Sequence, residues 1–299
     1  MFTALKEYTN EKRLIGFLTN EGNYNVFSFV IIDSITEKFV KKFLYKSEYS
    51  KLFMDELLTA ANENLFKVIF VDLFELQFKE EQFGNSYKFC KDLKQKFNEL
   101  KIPSYFFSEE RYIFSSFLIA AKIEINFDET VLTILPCKNS SQKSGKFFGL
   151  IVAELKFTPN GYVLIKHEIL RFLNSKENPE ILFQKICGSS TPQKIIASTI
   201  NCKAAFKKIF KSKNVTFLNE GAHIYYERFI VETAKWFFDK SFIKYYILPI
   251  SSRNIRIYGY YGTANNILDI INIKLNDPLP FKKIVHYSKS IPQLHVSML

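Results

Sequence analysis

Glycine is scarce in this chain, at 10 of 299 residues. Loops that cradle phosphate use glycine where the backbone must come close to a ligand, so the shortage weighs against phosphate-handling chemistry. Cysteine is scarce too. Cys90, Cys137, Cys187 and Cys202 lie far apart, form no CxxC pair and have no histidine at ligand spacing. That pattern excludes the usual zinc frameworks and reads as free thiols in a reducing compartment. His167, His223, His286 and His295 are isolated from one another. No apolar run approaches the ~18 residues that span a bilayer. Met1–Arg13 is polar and charged and lacks the apolar core of a secretory leader. The expectation is a cytoplasmic protein with no membrane partner, no metal and no cofactor.

What the chain does contain is apolar and basic. It is 47% hydrophobic and 24% charged, which is a globular composition. Lys and Arg outnumber Asp and Glu by 41 to 30, giving +11. A surplus of that size favours polyanionic partners such as RNA, a ribosome surface or an acidic protein, and says nothing about fold. The 32 Phe and 16 Tyr accompany abundant Lys, Asn and Ile, a bias that AT-rich coding also produces.

Two stretches, Leu14–Ile32 and Val131–Ile165, share one pattern of apolar strand, polar turn and further apolar strand. In the first half, strands Leu14–Phe17, Val26–Ile32 and Phe39–Tyr45 lead to a helix within Glu48–Asn62. A continuous apolar run, Lys67–Leu73, then fits a buried parallel strand. Tyr87, Cys90, Leu93, Phe97 and Leu100 recur at helical steps. Ile102–Phe107 follows as a strand, with Ser108 as the cap of a helix running to Ala121. The second half repeats the order: a meander Val131–Leu135, Phe148–Lys156 and Gly161–Glu168, then a short link Ile169–Thr191. Strand Lys194–Ser198, helix Lys203–Phe210, strand Val215–Leu218 and a helix from Glu220 to about Phe238 complete it. The tail alternates short strands, Tyr245–Ile250, Ile255–Tyr260 and Ile267–Leu275, with turns. The expected class is α/β, with two ribonuclease-H-like half-domains whose mixed sheets are flanked by helices. Their expected bounds are 1–125 and 126–244, followed by a β-rich tail, 245–299, docked on the second half.

Several phrases in this order resemble the nucleotide-binding domain of the DnaK-type heat-shock chaperones, in the actin-like superfamily. They are Val68–Val71 with Phe78-Lys79-Glu80-Glu81-Gln82, Leu100-Lys101-Ile102 with Ser108-Glu109-Glu110, and Asn219-Glu220-Gly221-Ala222. Leu248-Pro249-Ile250 and Leu279-Pro280-Phe281-Lys282-Lys283 follow. The resemblance implies an actin-like fold with reduced inserted lobes. It also locates the family's chemistry, and there the chain departs. Where the family ends its first strand in Asp-x-Gly, this chain reads Ile15-Gly16-Phe17-Leu18, with no aspartate before Asp33. The second phosphate turn is Pro136-Cys137-Lys138-Asn139-Ser140-Ser141, with neither acid nor glycine. The adenosine loop is matched only by Ala197-Ser198-Thr199-Ile200-Asn201. Without carboxylates for magnesium or donors for phosphate, hydrolysis has no basis. The expectation is a pseudo-ATPase without a peptide clamp. It is most similar to the atypical ribosome-associated members that pair with the J-protein zuotin, and its partner would be a J-protein or another complex subunit. A divergent nucleotide-dependent ATPase or kinase is the enzymatic alternative.

Two basic groups are candidate partner-binding sites. Lys203, Lys207, Lys208, Lys211 and Lys213 form a helix face without an acid, which reads either as a patch for RNA or an acidic helix or as solvated surface. Arg253, Arg256, Lys282 and Lys283, with Lys289, lie among Tyr258, Tyr260, Tyr261 and Tyr287. These read either as a binding surface or as cross-strand aromatic pairs. Asp33, Asp72 and Asp128 raise a nuclease reading. Two-metal chemistry needs acids converging from the first strand, and Leu14–Leu18 and Val131–Leu135 have none.

Overall fold

The structure, a computed structural model, describes residues 5, 8, 11–60, 64–78, 85–136, 147–174, 176–199, 203–211, 214–251, 254–261, 266–275, 277, 279, 282–286, 291 and 293–298. The first run of elements is β1 (Leu14–Glu21), β2 (Asn23–Asp33), β3 (Phe39–Lys46), α1 (Ser50–Ala60), β4 (Phe66–Asp72), α2 (Ser86–Glu99), β5 (Ser104–Phe106) and α3 (Glu109–Ala120). The second is β6 (Thr130–Pro136), β7 (Phe147–Thr158), β8 (Gly161–Asn174), α4 (Pro179–Cys187), β9 (Lys194–Ser198), α5 (Lys203–Ile209), β10 (Val215–Leu218) and α6 (Tyr226–Phe238). The tail supplies β11 (Ile255–Tyr261), β12 (Asn266–Ile273) and β13 (Leu294–Met298).

The two runs build the same sheet. One has strand order β3-β2-β1-β4-β5 and the other β8-β7-β6-β9-β10. In each, the first three strands form an antiparallel meander and the last two join the first strand in parallel. Each is a ribonuclease-H-like sheet, and their duplication in one chain is the actin-like fold. The link Ile169–Thr191 is not the bare connection expected: it carries the end of β8 and the whole of α4. Asn178 caps α4 by accepting from Glu180 N at 2.8 Å, and Pro179 follows at the first turn, where its missing N–H costs nothing. Ser108 precedes α3 in extended backbone, but its side chain makes no capping bond.

By packing, the chain divides into two compact units. One is Met1–Lys122 with Gly221–Tyr246, and the other is Ile123–Glu220 with Ile247–Leu299. The bounds expected above followed chain order and put α6 in the second half, whereas α6 packs on the first sheet. Tail residues 245–246 also belong to the first unit, and Tyr245–Ile250 is not a strand: it holds isolated bridges at Ile247, which pairs with Tyr162, and at Ile250.

The first sheet is covered on both faces. Alternation along β1 sends Leu14 and Leu18 to a core with Phe27, Phe29, Phe53, Phe89, Leu93 and Phe97, the side of α1 and α2. Gly16 shares that face, and a Cβ there would lie 2.6 Å from the Phe29 ring, so glycine lets this ring cross β1. Ile15 and Phe17 point the other way, into a core with Val68, Phe70, Phe107, Tyr112, Phe229, Ile230 and Ala234, the side of α3 and α6. Phe17 is at the centre of a ring cluster, with centroids 5.8 Å from Phe107, 5.6 Å from Tyr112 and 5.9 Å from Phe229. In the second unit α4 and α5 supply Leu182, Ile186, Phe206 and Phe210 against Leu132, Ile134, Val152 and Ile195. The tail forms a separate three-stranded sheet, β12-β11-β13.

Because Phe17 is fully buried among rings from three elements, truncating it leaves a cavity that no single neighbour can fill. Phe17→Ala is expected to cost about 3–5 kcal/mol in a urea unfolding titration. A loss below about 1 kcal/mol, within the range of surface changes, would mean the ring cluster is not packed.

Candidate functional site

In parallel α/β sheets, ligands bind beyond the carboxyl ends of the strands, beside the first turns of the following helices. At that edge of the first sheet, register aligns Ser28 of β2, Thr19 of β1 and Asp72 of β4 in one row. All three are buried. The Thr19 hydroxyl donates to the Asp72 carboxyl. Ser28 Oγ and Asp72 Oδ1 have no hydrogen-bond partner. Burial pushes the Asp72 carboxyl well above the usual carboxylate range, and Glu109, Glu110 and Glu75 push it the same way. The row therefore carries one carboxyl group, whose ionised form is disfavoured by burial and by its acidic neighbours.

One step back along the strands, the space is filled by rings. Tyr112 and Phe229 stand 4.9 Å apart and Phe107 and Phe229 5.3 Å apart, both against Phe17. Burial raises the Tyr112 hydroxyl too, so it stays protonated. Past the row, β1 continues paired to β2 as far as Glu21, and the chain reverses at Gly22, whose φ of 59° suits glycine. Glu21, the acid nearest the end of β1, is tied to Lys42 at 2.6 Å.

The acids named from sequence do not converge. Asp33 lies opposite Leu14 at the start of β1, while Asp72 lies opposite Thr19 near its end. Five residue steps along β1 separate these ends, roughly 16 Å. The Arg13 guanidinium and backbone N–H of Ile35 hold the Asp33 carboxyl below its usual range. Asp128 is exposed and paired to Lys156 at 2.7 Å. Among the described residues no group of three His, Cys, Asp or Glu is placed to hold a metal ion. Cys90 and Cys187 are buried free thiols, and burial drives the Cys90 thiol up to about 12.

In the second unit the expected adenosine-loop residues serve the fold. The Thr199 hydroxyl donates to Leu218 O at 3.1 Å and lies 3.1 Å from Asn219 Oδ1, tying the end of β9 to β10. The second phosphate turn from Cys137 to Ser141 lies outside the described residues, as do Cys202, Ile200, Asn201 and most of the Phe78–Gln82 phrase.

The structure places Lys203, Lys207 and Lys208 on α5 and Lys211 just beyond it, all exposed, while Phe206 and Ile209 face the core. Among the described residues none of these four lysines has an acidic partner. Lys213 and Arg253 lie outside the described residues, as do Tyr287 and Lys289. Arg256 is on β11, bonded to Asp269 of β12 with its guanidinium 5.1 Å from the Tyr258 ring centre. Tyr258 stacks on His295 of β13 at 5.5 Å. These contacts use Arg256 and Tyr258 in cross-strand pairing. Lys282 and Lys283 are exposed in a stretch without regular structure, so the structure gathers the α5 lysines but not the tail group.

Sequence reading missed a buried cation, Arg111 on α3. Its guanidinium is held among Tyr105, Trp236 and Tyr246, residues up to 135 positions away in a chain where only the Glu109-Glu110-Arg111 run is local.

No family model and no curated protein matches the chain. Solved structures do. A Bacteroides thetaiotaomicron protein with an actin-like ATPase fold and unknown function is 9% identical, with a TM-score of 0.40, over 75% of this chain and 98% of that one. YeaZ from Pseudomonas aeruginosa is 8% identical, with a TM-score of 0.38, over 76% of this chain and 94% of that one. An Aquifex aeolicus Ppx/GppA phosphatase is 10% identical, with a TM-score of 0.32, over 62% and 67%. Nothing about activity follows from likenesses at this level, and the actin-like fold rests on the strand order.

Asp72 gives this edge a pH signature. Its folded value lies above its unfolded one, so folding takes up a proton. The contribution is fully present below the usual value of 3.8 and is lost as pH rises toward the folded value. Asp72→Asn, which still accepts from Thr19, is expected to raise stability at pH 7 and to flatten its decline between pH 4 and 7. Denaturant midpoints across that range check it, and a lower midpoint at pH 7 would show that the ionised carboxylate is needed.

Proposed function

We propose that this chain is a catalytically silent actin-like module that acts by binding. The setting we favour is a cytoplasmic, ribosome-associated chaperone complex in which it supports a J-protein partner, as its phrases from the DnaK-type family imply. The observation that carries the silent reading is the ring cluster of Phe17, Phe107, Tyr112 and Phe229 at the carboxyl edge of the first sheet. Phosphoryl transfer is catalysed by positioned charges around the phosphate, and rings packed beside a buried carboxyl whose ionised form is disfavoured leave little room for them. The scarcity of glycine supports the same reading.

The α5 face supports a binding role, through RNA or an acidic protein surface. A scaffold in some other complex would use it equally well, and ribosome co-sedimentation separates the two settings. Nucleotide binding separates both from a divergent ATPase or kinase. ATP with magnesium at a hundred times its dissociation constant would add about 2.7 kcal/mol of stability. The expected result is an unchanged melting temperature, and a shift of several degrees would overturn the silent reading.

Reversing charge at Lys207, Lys208 and Lys211 to Glu is expected to leave stability within about 0.5 kcal/mol of wild type, because these side chains face water. It should abolish salt-sensitive co-sedimentation with ribosomes. Co-sedimentation with unchanged salt dependence would reduce the face to solvated surface.

A further inference from the structure

Arg111 is 6% exposed. Its guanidinium lies 4.2 Å from the ring centre of Tyr246 and 5.0 Å from those of Tyr105 and Trp236. Nη1 donates to the Tyr105 hydroxyl, and Nη2 has no hydrogen-bond partner. The rings repay part of the cost of burying this cation, since a charge over an aromatic face is attracted by its quadrupole. They give Nη2 no acceptor, and an unpaired buried donor on a charged group is expensive.

Beside the guanidinium is a cavity of about 30 Å³, lined by Arg111, Ser115, Thr233, Trp236, Phe242 and Lys244 among others. That is room for about two water-sized groups. Ser115 donates to Tyr245 O at 2.8 Å, which fixes its hydroxyl. Glu232 also lines the cavity, and its carboxylate already accepts from Arg228 at 3.1 Å and Lys235 at 3.3 Å. Lys240 sits 3.5 Å over the Trp236 ring, adding positive charge to the same cluster.

We propose that this cavity binds a single carboxylate, with Arg111 Nη2 as donor and Lys244 as a second positive charge. A planar group suits the site because aromatic rings surround the guanidinium and Nη1 is taken, leaving the Nη2 edge. A small monoanion suits it better than phosphate, because the volume is small and Glu232 repels a dianion. The carboxylate comes from a small free acid or from an acidic side chain of a peptide. The site does not depend on the partner proposed above.

Trp236 is the only tryptophan in the chain, so intrinsic fluorescence reports on this cavity directly. Sodium acetate, a glutamate-containing peptide with blocked termini, sodium phosphate and sodium chloride would be titrated at matched ionic strength. A saturable change with acetate identifies small acids, and one with the peptide alone identifies an acidic side chain. Thr233→Ile narrows the cavity and leaves Arg111 in place, and should weaken the response at least about tenfold, as loss of a charged hydrogen bond does. Arg111→Met should abolish it, and Thr233→Ile decides the matter should that variant not fold. The proposal fails if neither carboxylate gives a saturable change, if chloride or phosphate matches it, or if Thr233→Ile leaves it undiminished.

Discussion

Phe17 projects from the central strand of the first sheet, and its ring must be covered by something other than the sheet. Three separate segments cover it: Phe107 after β5, Tyr112 in the first turn of α3, and Phe229 in the first turn of α6. Burying a ring of this size is worth roughly 1.5–3 kcal/mol, and edge and tilted contacts among the rings add to it. The position of α6 follows from that demand. It brings Phe229, Ile230 and Ala234 to the sheet, with Ile15, Val30, Val68 and Phe70 beneath. Lys235 then reaches Glu37 at 3.1 Å, beyond the end of β2.

The same cover shapes the edge where chemistry would be expected. With rings filling the space beneath the first turns of α3 and α6, the polar row of Ser28, Thr19 and Asp72 is shut away from cations as well as water. Burial without a counter-ion then raises the pKa of its carboxyl group. The packing that positions α6 and the closing of this edge thus have one cause.

What was legible in the sequence was local. Strands β9 and β10 were read at their observed bounds because short apolar runs between polar turns leave little choice. Helix α2 was read because Cys90, Leu93 and Phe97 keep its period, and Asn85 accepting from Lys88 N at 2.9 Å adds a cap. Helix α4 leaves a faint trace in the sequence because only Leu182, Ile186 and Cys187 face inward, although the Asn178-Pro179 pair announces a helix start. What was not legible was set by distant partners. Periodicity shows that α6 has an apolar face but not which sheet receives it, and β13 exists because β11 offers it a free edge. Asp72 was visible as a strand acid, while its raised pKa depends on burial in the folded sheet and on the acids at the start of α3. Arg111 looked like an ordinary helix cation beside two glutamates, and only Trp236 and the 245–246 segment make it a buried one.

The charge pattern carries the last step. Several acids are matched by a neighbouring cation: Glu21 by Lys42, Asp33 by Arg13, Glu177 by Lys185, Asp269 by Arg256. Pairs of this kind contribute little to stability when exposed, but they use up the negative surface that would otherwise answer the lysines. On α5 there is no such answer among the described residues. A surplus of +11 adds to the positive field of such a face. Attraction from such a face is long-ranged, salt-sensitive and indifferent to fine geometry. Encounter surfaces work by attraction of this kind, and under the binding role proposed above the α5 face is where it would act.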